Sequence, residues 1–178
     1  MARRRAAKFL AVAAIAVAAG VIAGWYQFRV IPADDLIVEQ LFRQKYPDAT
    51  GNPTDLSSYR GKLLVINFWA TWCAPCIEEM PELSDIQKET TALGVQVLGL
   101  AVDTPEKVQE FNKKISVLYP LLVVGSAGVD LSKSFGNESG ALPFTVIVDR
   151  HGAIVDRTLG RFKRVRLMRV IERILDES

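Results

Sequence analysis

The clearest pattern along the chain is a nearly unbroken apolar run, Leu63-Leu64-Val65-Ile66-Asn67-Phe68-Trp69-Ala70, followed closely by Glu78-Glu79-Met80-Pro81-Glu82-Leu83, which has helical composition. A run of that length, rich in aliphatic and aromatic residues, predicts a strand buried on both faces that leads into a helix. Residues 95–102 form a second such run. Thr104-Pro105 then supplies an N-cap and a first-turn proline for a helix reaching about Ile115. Strand, helix and strand in that order imply a parallel pair. Downstream, the pattern predicts a strand over 119–124, a short helix over 129–135, and a hairpin of 144–148 with 154–159 turned at Arg150-His151-Gly152. A helix over 163–176 ends the chain, with Val165, Met168, Ile171 and Leu175 on its apolar face. Its other face carries Lys163, Arg164, Arg166, Arg169 and Arg173, read as a solvated stripe, with contact to anionic lipid as the alternative. Upstream, Gly51-Asn52-Pro53 marks a hairpin turn, while residues 36–42 are apolar with a period that fits helix and strand alike.

The N-terminus has a different character. Arg3-Arg4-Arg5-Ala6-Ala7-Lys8 precedes an uncharged stretch over residues 9–28, which as a helix would span about 30 Å, one bilayer core. The basic cluster would remain cytoplasmic, and Trp25 and Tyr26 fall where an outer aromatic belt would lie. A cleaved signal peptide competes, because Ala16-Val17-Ala18 resembles a cleavage site, but the apolar core exceeds the usual ~7–15 residues of such a peptide. The expected organisation is a cytoplasmic basic segment (1–8), a single-pass inner-membrane anchor (9–28), a linker (29–40) and one domain (41–178) in the periplasm or extracytoplasmic space.

Net charge is +2, but residues 1–30 hold five of the 22 basic side chains and none of the 20 acidic ones, so the remainder is weakly acidic. A nucleic-acid partner is not expected.

Cysteine occurs only twice, in Trp72-Cys73-Ala74-Pro75-Cys76, where the first buried strand gives way to helix. Cysteines three apart at a helix start can close a disulfide. Cys73 would fall at the N-cap and Pro75 near N1, so the Cys73 thiol faces unpaired amides and the positive helix end, which lowers its pKa and makes it the nucleophile. Cys76, one turn in, is the resolving thiol. A structural zinc site needs about four ligands, and beyond the two thiols only His151, in a turn, is on offer; no metal is expected. A structural disulfide closing so small a loop would constrain the unfolded chain little.

Asn67-Phe68-Trp69-Ala70-Thr71-Trp72-Cys73-Ala74-Pro75-Cys76, with Glu79 and Pro81, resembles the TlpA/ResA-like, membrane-anchored branch of the thioredoxin superfamily, as do Leu56-Ser57-Ser58-Tyr59-Arg60-Gly61-Lys62 and Gly140-Ala141-Leu142-Pro143-Phe144-Thr145. The resemblance implies an α/β thioredoxin fold, a central mixed sheet flanked by helices, with an N-terminal β-hairpin and a central βαβ insertion. It implies a thiol–disulfide oxidoreductase whose only redox group is the Cys73–Cys76 pair, without a further cofactor. It also implies a cis Pro143 facing the cysteines and backbone groups of Leu142 offered to an extended substrate. Trp72 and Pro75 are further candidate substrate contacts. Thioredoxin has a buried aspartate where this chain has Asn67, and the resemblance gives its proton-moving role to Glu79, on the Cys76 face of the helix, whereas Glu78 should point to solvent.

The expected activity is reduction of disulfides in exported proteins, with electrons from a membrane thiol carrier. The alternatives are a thiol oxidant, a reductant for cytochrome c maturation, a thiol peroxidase, and a membrane-tethered binding module without turnover. The cytochrome c branch has Gly-Val-Tyr-Gly-Ala-Pro-Glu through its cis proline where this chain has Ser139-Gly140-Ala141-Leu142-Pro143-Phe144; a peroxidase needs threonine where Ala70 stands.

Overall fold

The computed structural model describes Ala14, residues 16–21 and residues 33–177. It divides into two units, Met1–Pro32 and Ala33–Ser178. In the first, Ala14 and residues 16–21 are helical; most of the anchor expected over 9–28 lies outside the described residues, among which no helix is long and apolar enough to cross a membrane.

The second unit is a thioredoxin-like α/β fold. Helix α1 (Ala33–Phe42) precedes a hairpin of β1 (Lys45–Pro47) and β2 (Pro53–Asp55). Then come β3 (Leu63–Trp69), α2 (Ala74–Thr90), β4 (Val95–Ala101), α3 (Pro105–Lys114), β5 (Leu121–Val123), α4 (Gly128–Ser134), β6 (Phe144–Val148), β7 (Ile154–Leu159) and α5 (Arg164–Asp176). The five-stranded sheet runs β5-β4-β3-β6-β7, with β3–β4 and β4–β5 parallel and β3–β6 and β6–β7 antiparallel. The hairpin joins the β5 edge through a bridge between Asp48 and Leu122.

All seven residues of β3 are buried, as its unbroken apolar run requires for a central strand covered on both faces. Strand alternation sorts them. Leu63, Val65 and Trp69 pack beneath α2, α3 and α5, with Met80, Leu83, Val108, Phe111 and Ile171. Leu64, Ile66 and Phe68 pack on the opposite face with Val38, Leu41 and Phe42 of α1 and with Phe135. Asn67 therefore points toward α2 by period alone. The parallel β3–β4 pair requires a crossover, which α2 provides. Gly94, at φ +79°, turns the chain out of the helical segment and into β4.

Three sequence expectations change. The linker expected over 29–40 gives way at Ala33 to α1, which resolves the ambiguous apolar run as a helix with Val38, Leu41 and Phe42 buried on one stripe. Arg60 holds that helix to the body by two hydrogen bonds to Glu39, at 2.6 and 2.9 Å. The strand expected over 119–124 contracts to Leu121–Val123, and Tyr119 turns into the core. The apolar face of α5 is rotated. Leu167, Ile171 and Ile174 are buried while Val165 is 70 % exposed, because Val165 lies about 200° around the helix from Leu167. Within the basic stripe, Arg164 pairs with Glu89 and Arg166 with Asp156.

If α1 is part of the folded body, Leu41→Ala should lower the unfolding free energy by about 2–4 kcal/mol in urea titration. A linker residue there would change it by less than about 0.5 kcal/mol.

Candidate active site

The cysteines stand on a turn clamped from the neighbouring strand. Past Trp69 the chain leaves the sheet, the Cys73 N–H bonds the Ala70 carbonyl at 3.1 Å, and the Cys73 carbonyl accepts from the amides of Cys76 and Ile77 at 3.0 and 3.2 Å. Cys73 is the N-cap of α2, in extended conformation and with no side-chain capping bond, and Pro75 lies in the first turn. The clamp is Asp103, just beyond β4. Its Oδ2 accepts from the Thr71 N–H at 3.1 Å and the Thr71 hydroxyl at 2.5 Å, and its Oδ1 from the Thr104 N–H at 2.8 Å. Burial pushes the Asp103 carboxyl up, but these donors, with Lys107 nearby, more than offset it and hold it below the ordinary range. Asp103 reads in sequence as an ordinary residue before the Thr104-Pro105 cap; its partner is 32 positions away and gives no local signal.

Cys73 and Cys76 form a disulfide with α-carbons 5.3 Å apart. Cys73 is 5 % exposed and Cys76 fully covered, so the sulfur at the helix N-terminus is also the one nearer solvent.

One turn beyond Cys76, Glu79 is 0 % exposed. The Asn67 Nδ2 amide donates to its Oε1 at 2.7 Å and to the Thr145 hydroxyl oxygen at 3.1 Å. Burial raises the Glu79 carboxyl to about 7, against the opposing pull of the Asn67 amide, the Phe162 backbone N–H and the Arg161 charge, with a small upward push from Glu82. A buried carboxylate facing a neutral amide holds its proton into the neutral range, which suits a group that must take and return one. Thr145 lies opposite Asn67 in the β3–β6 register, two residues past Pro143; its part in this network was not apparent from sequence, where it reads only as a strand residue. Glu78 points outward and pairs with Arg161 at 2.9 Å.

The other sequence-selected residues are at the surface beside this pair or on the cis loop. Trp72 is 66 % exposed, and Pro75 is exposed. The Leu142–Pro143 peptide is cis. Pro143 is buried, and Leu142 is half-buried against the core cluster that contains Cys73 and Cys76. Their loop is braced by Asn137, whose amide donates to the Ala141 carbonyl at 2.9 Å, and by Gly160, whose N–H donates to the Pro143 carbonyl at 2.8 Å. His151 is exposed in its turn, and among the described residues no group of His, Cys, Asp and Glu is arranged to hold a metal.

Comparison with known proteins agrees with this geometry. The AhpC/TSA family profile matches residues 38–157. The thiol-disulfide oxidoreductase ResA of Geobacillus kaustophilus is 30 % identical over 128 residues, covering 71 % of this chain and 71 % of its own. A ResA of Bacillus cereus is 29 % identical over 129 residues, covering 71 % and 72 %. Among solved structures, a thiol:disulfide interchange protein of the thioredoxin family from Chlorobium tepidum superposes with a TM-score of 0.63 at 25 % identity, covering 74 % of this chain and 92 % of that one.

The two carboxyls should leave opposite marks on stability. Between the ordinary value of 4.5 and about 7, folded Glu79 keeps a proton that the unfolded chain has released, so its effect is a loss of stability as pH rises through that window, of up to about 3 kcal/mol, level above it. Asp103, held low, contributes stability above its unfolded pKa that is lost as the medium becomes acid. Urea titrations of the oxidised protein across pH 4–8 should show Glu79→Gln removing the falling slope; an unchanged slope would contradict the assignment.

Proposed function

The chain belongs to the AhpC/TSA family and is a thiol–disulfide oxidoreductase, and from that premise we propose that it works outside the cytoplasm as a reductase of disulfides in exported proteins. The observation that carries this reading is the buried Glu79–Asn67 pair one helical turn from Cys76, a proton acceptor placed beside the resolving thiol.

In this mechanism the reduced protein presents Cys73 as a thiolate, stabilised by the N-terminus of α2. It attacks one sulfur of a substrate disulfide, displacing the other as a thiolate and leaving a mixed disulfide with Cys73. Glu79 then takes the Cys76 proton. The Cys76 thiolate attacks the Cys73 sulfur, the second substrate sulfur departs, and the Cys73–Cys76 disulfide forms. The substrate has gained two electrons, and its departing thiolates take up protons from solvent and from Glu79. Trp72, Pro75, Leu142 and Pro143 form the substrate-facing surface, with the backbone of Leu142 pairing with an extended stretch.

The location rests on the basic residues Arg3, Arg4, Arg5 and Lys8 ahead of the uncharged stretch 9–28, read as an anchor in the inner membrane with the catalytic unit outside. In an oxidising compartment a reductase must be recharged, and a membrane thiol carrier is the donor proposed. Ala74-Pro75 lacks a histidine between the cysteines, which favours reduction over oxidation. Ala70 in place of the threonine of peroxidatic sites weighs against peroxide as substrate.

Two measurements test this. Cys76→Ser expressed in the native host should accumulate proteins disulfide-linked to Cys73, and Cys73→Ser should accumulate none; equal trapping by both would contradict the assigned order of attack. The reduction potential of the Cys73–Cys76 couple should lie below about −150 mV, on the reducing side of a range that runs from roughly −270 to −120 mV. A higher value would reverse the proposed direction.

A further inference from the structure

Among the described residues, four buried side-chain polar atoms have no hydrogen-bond partner, and they are Asn67 Oδ1, Glu79 Oε2, the Trp69 indole Nε1 and the Tyr119 hydroxyl. The sheet brings their residues together. Asn67 and Gly99 are opposite in the β3–β4 register, and Trp69 lies two residues along β3 on the same face. Gly99 bears no side chain, and the edges of two rings close over it. A Cβ built there would stand 3.2 Å from Trp69 Nε1 and 3.2 Å from Tyr119 Cε2, as well as 2.7 Å from Leu121 Cδ2. Glu79 lies on the same side of the sheet, hydrogen-bonded to Asn67, and its charge acts on the Tyr119 phenol, which burial first and that charge second keep protonated.

Two of these atoms, the indole N–H and the phenol O–H, are donors with nothing to give to. The other two are acceptors with an open lone pair. Buried polar groups are rarely left unpaired, and an internal water satisfies two to four such partners at once. We propose that the space between Glu79, Asn67, Trp69 and Tyr119 is an internal water site, through which the Tyr119 hydroxyl and the Trp69 N–H reach the Glu79 carboxylate and make Tyr119 a positioning residue for the proton that Glu79 exchanges. The inference rests on the assignment of Glu79 as the base for Cys76. On its outer side Tyr119 lines a cleft of 330 Å³ with Asp48, Thr54 and Asn112. None of the substrate-facing residues, Trp72, Pro75, Leu142 and Pro143, lines that cleft.

The other groups facing Glu79 are fixed. They are Asn67 from β3, Thr145 from β6 through Asn67, Arg161 and the Phe162 amide ahead of α5, and Glu82 and Cys76 from its own helix. Donors that reach a carboxylate through water favour its charged form, so loss of the Tyr119 hydroxyl should make the Glu79 proton harder to remove.

The test follows resolution of a preformed mixed disulfide on Cys73 across pH in the wild type, Tyr119→Phe and Glu79→Gln. Tyr119→Phe keeps the ring and should move the rate midpoint up by about half a pH unit, a roughly three-fold change in the protonation equilibrium, the size expected for one hydrogen bond. Glu79→Gln should abolish the step. A step lost in Glu79→Gln but unmoved in Tyr119→Phe overturns the water site alone; a step retained in Glu79→Gln overturns the base assignment and the inference resting on it. Independently of any variant, NMR of the oxidised protein should show a cross-relaxation peak between the Trp69 indole proton and a long-lived water, and its absence would also overturn the site.

Discussion

A carboxyl group enclosed without a salt-bridge partner among the described residues is the constraint around which the rest of the site is arranged. The Asn67 amide, not a lysine or arginine side chain, is hydrogen-bonded to Glu79, and burial outweighs the opposing pull of Asn67, the Phe162 amide and the Arg161 charge. That contact needs β3 in the middle of the sheet, covered on both faces, and α2 laid over it with the Cys76–Glu79 face inward. The alternation of β3 puts Asn67 on the α2 side, and the helical period puts Glu79 and Cys76 together. The pairing of the strand with the helix therefore sets a carboxyl that holds its proton into the neutral range one helical turn from the more enclosed cysteine.

The two buried carboxyls illustrate how partners decide ionisation. Both are pushed up by burial, yet Asp103 ends low and Glu79 ends high. Asp103 collects three short hydrogen bonds from Thr71 and Thr104, plus a lysine, and serves as a fixed anion that holds the turn before Cys73. Glu79 has one short bond and an open oxygen. A permanently charged group suits positioning, and a group near neutrality suits exchange.

Much of this was legible in the chain because it is local. The long apolar run of β3, the Thr104-Pro105 cap, the hairpin of β6 and β7 and the redox pentapeptide all carry short-range signatures, and a resemblance to known sequences supplied Glu79 and Pro143. What the sequence concealed depends on contacts between distant segments. The run at 36–42 is too short to show its period, and only packing against Leu64 and Phe68 makes it a helix. On α5, apolar residues occur on more than one side, and the sheet beneath selects Leu167 over Val165. Asp103, Thr145 and Tyr119 are ordinary residues in their own segments and acquire roles only across strands.

The claim on which the account turns is that Glu79 holds its proton into the neutral range in the folded, oxidised protein. Carbon-13 NMR of the Glu79 side-chain carboxyl through a pH titration measures this directly. A midpoint near 7, lost from the spectrum of Glu79→Gln, is the result expected here; a midpoint near the ordinary 4.5 would mean that the carboxyl is a permanent anion and that some other group takes the Cys76 proton.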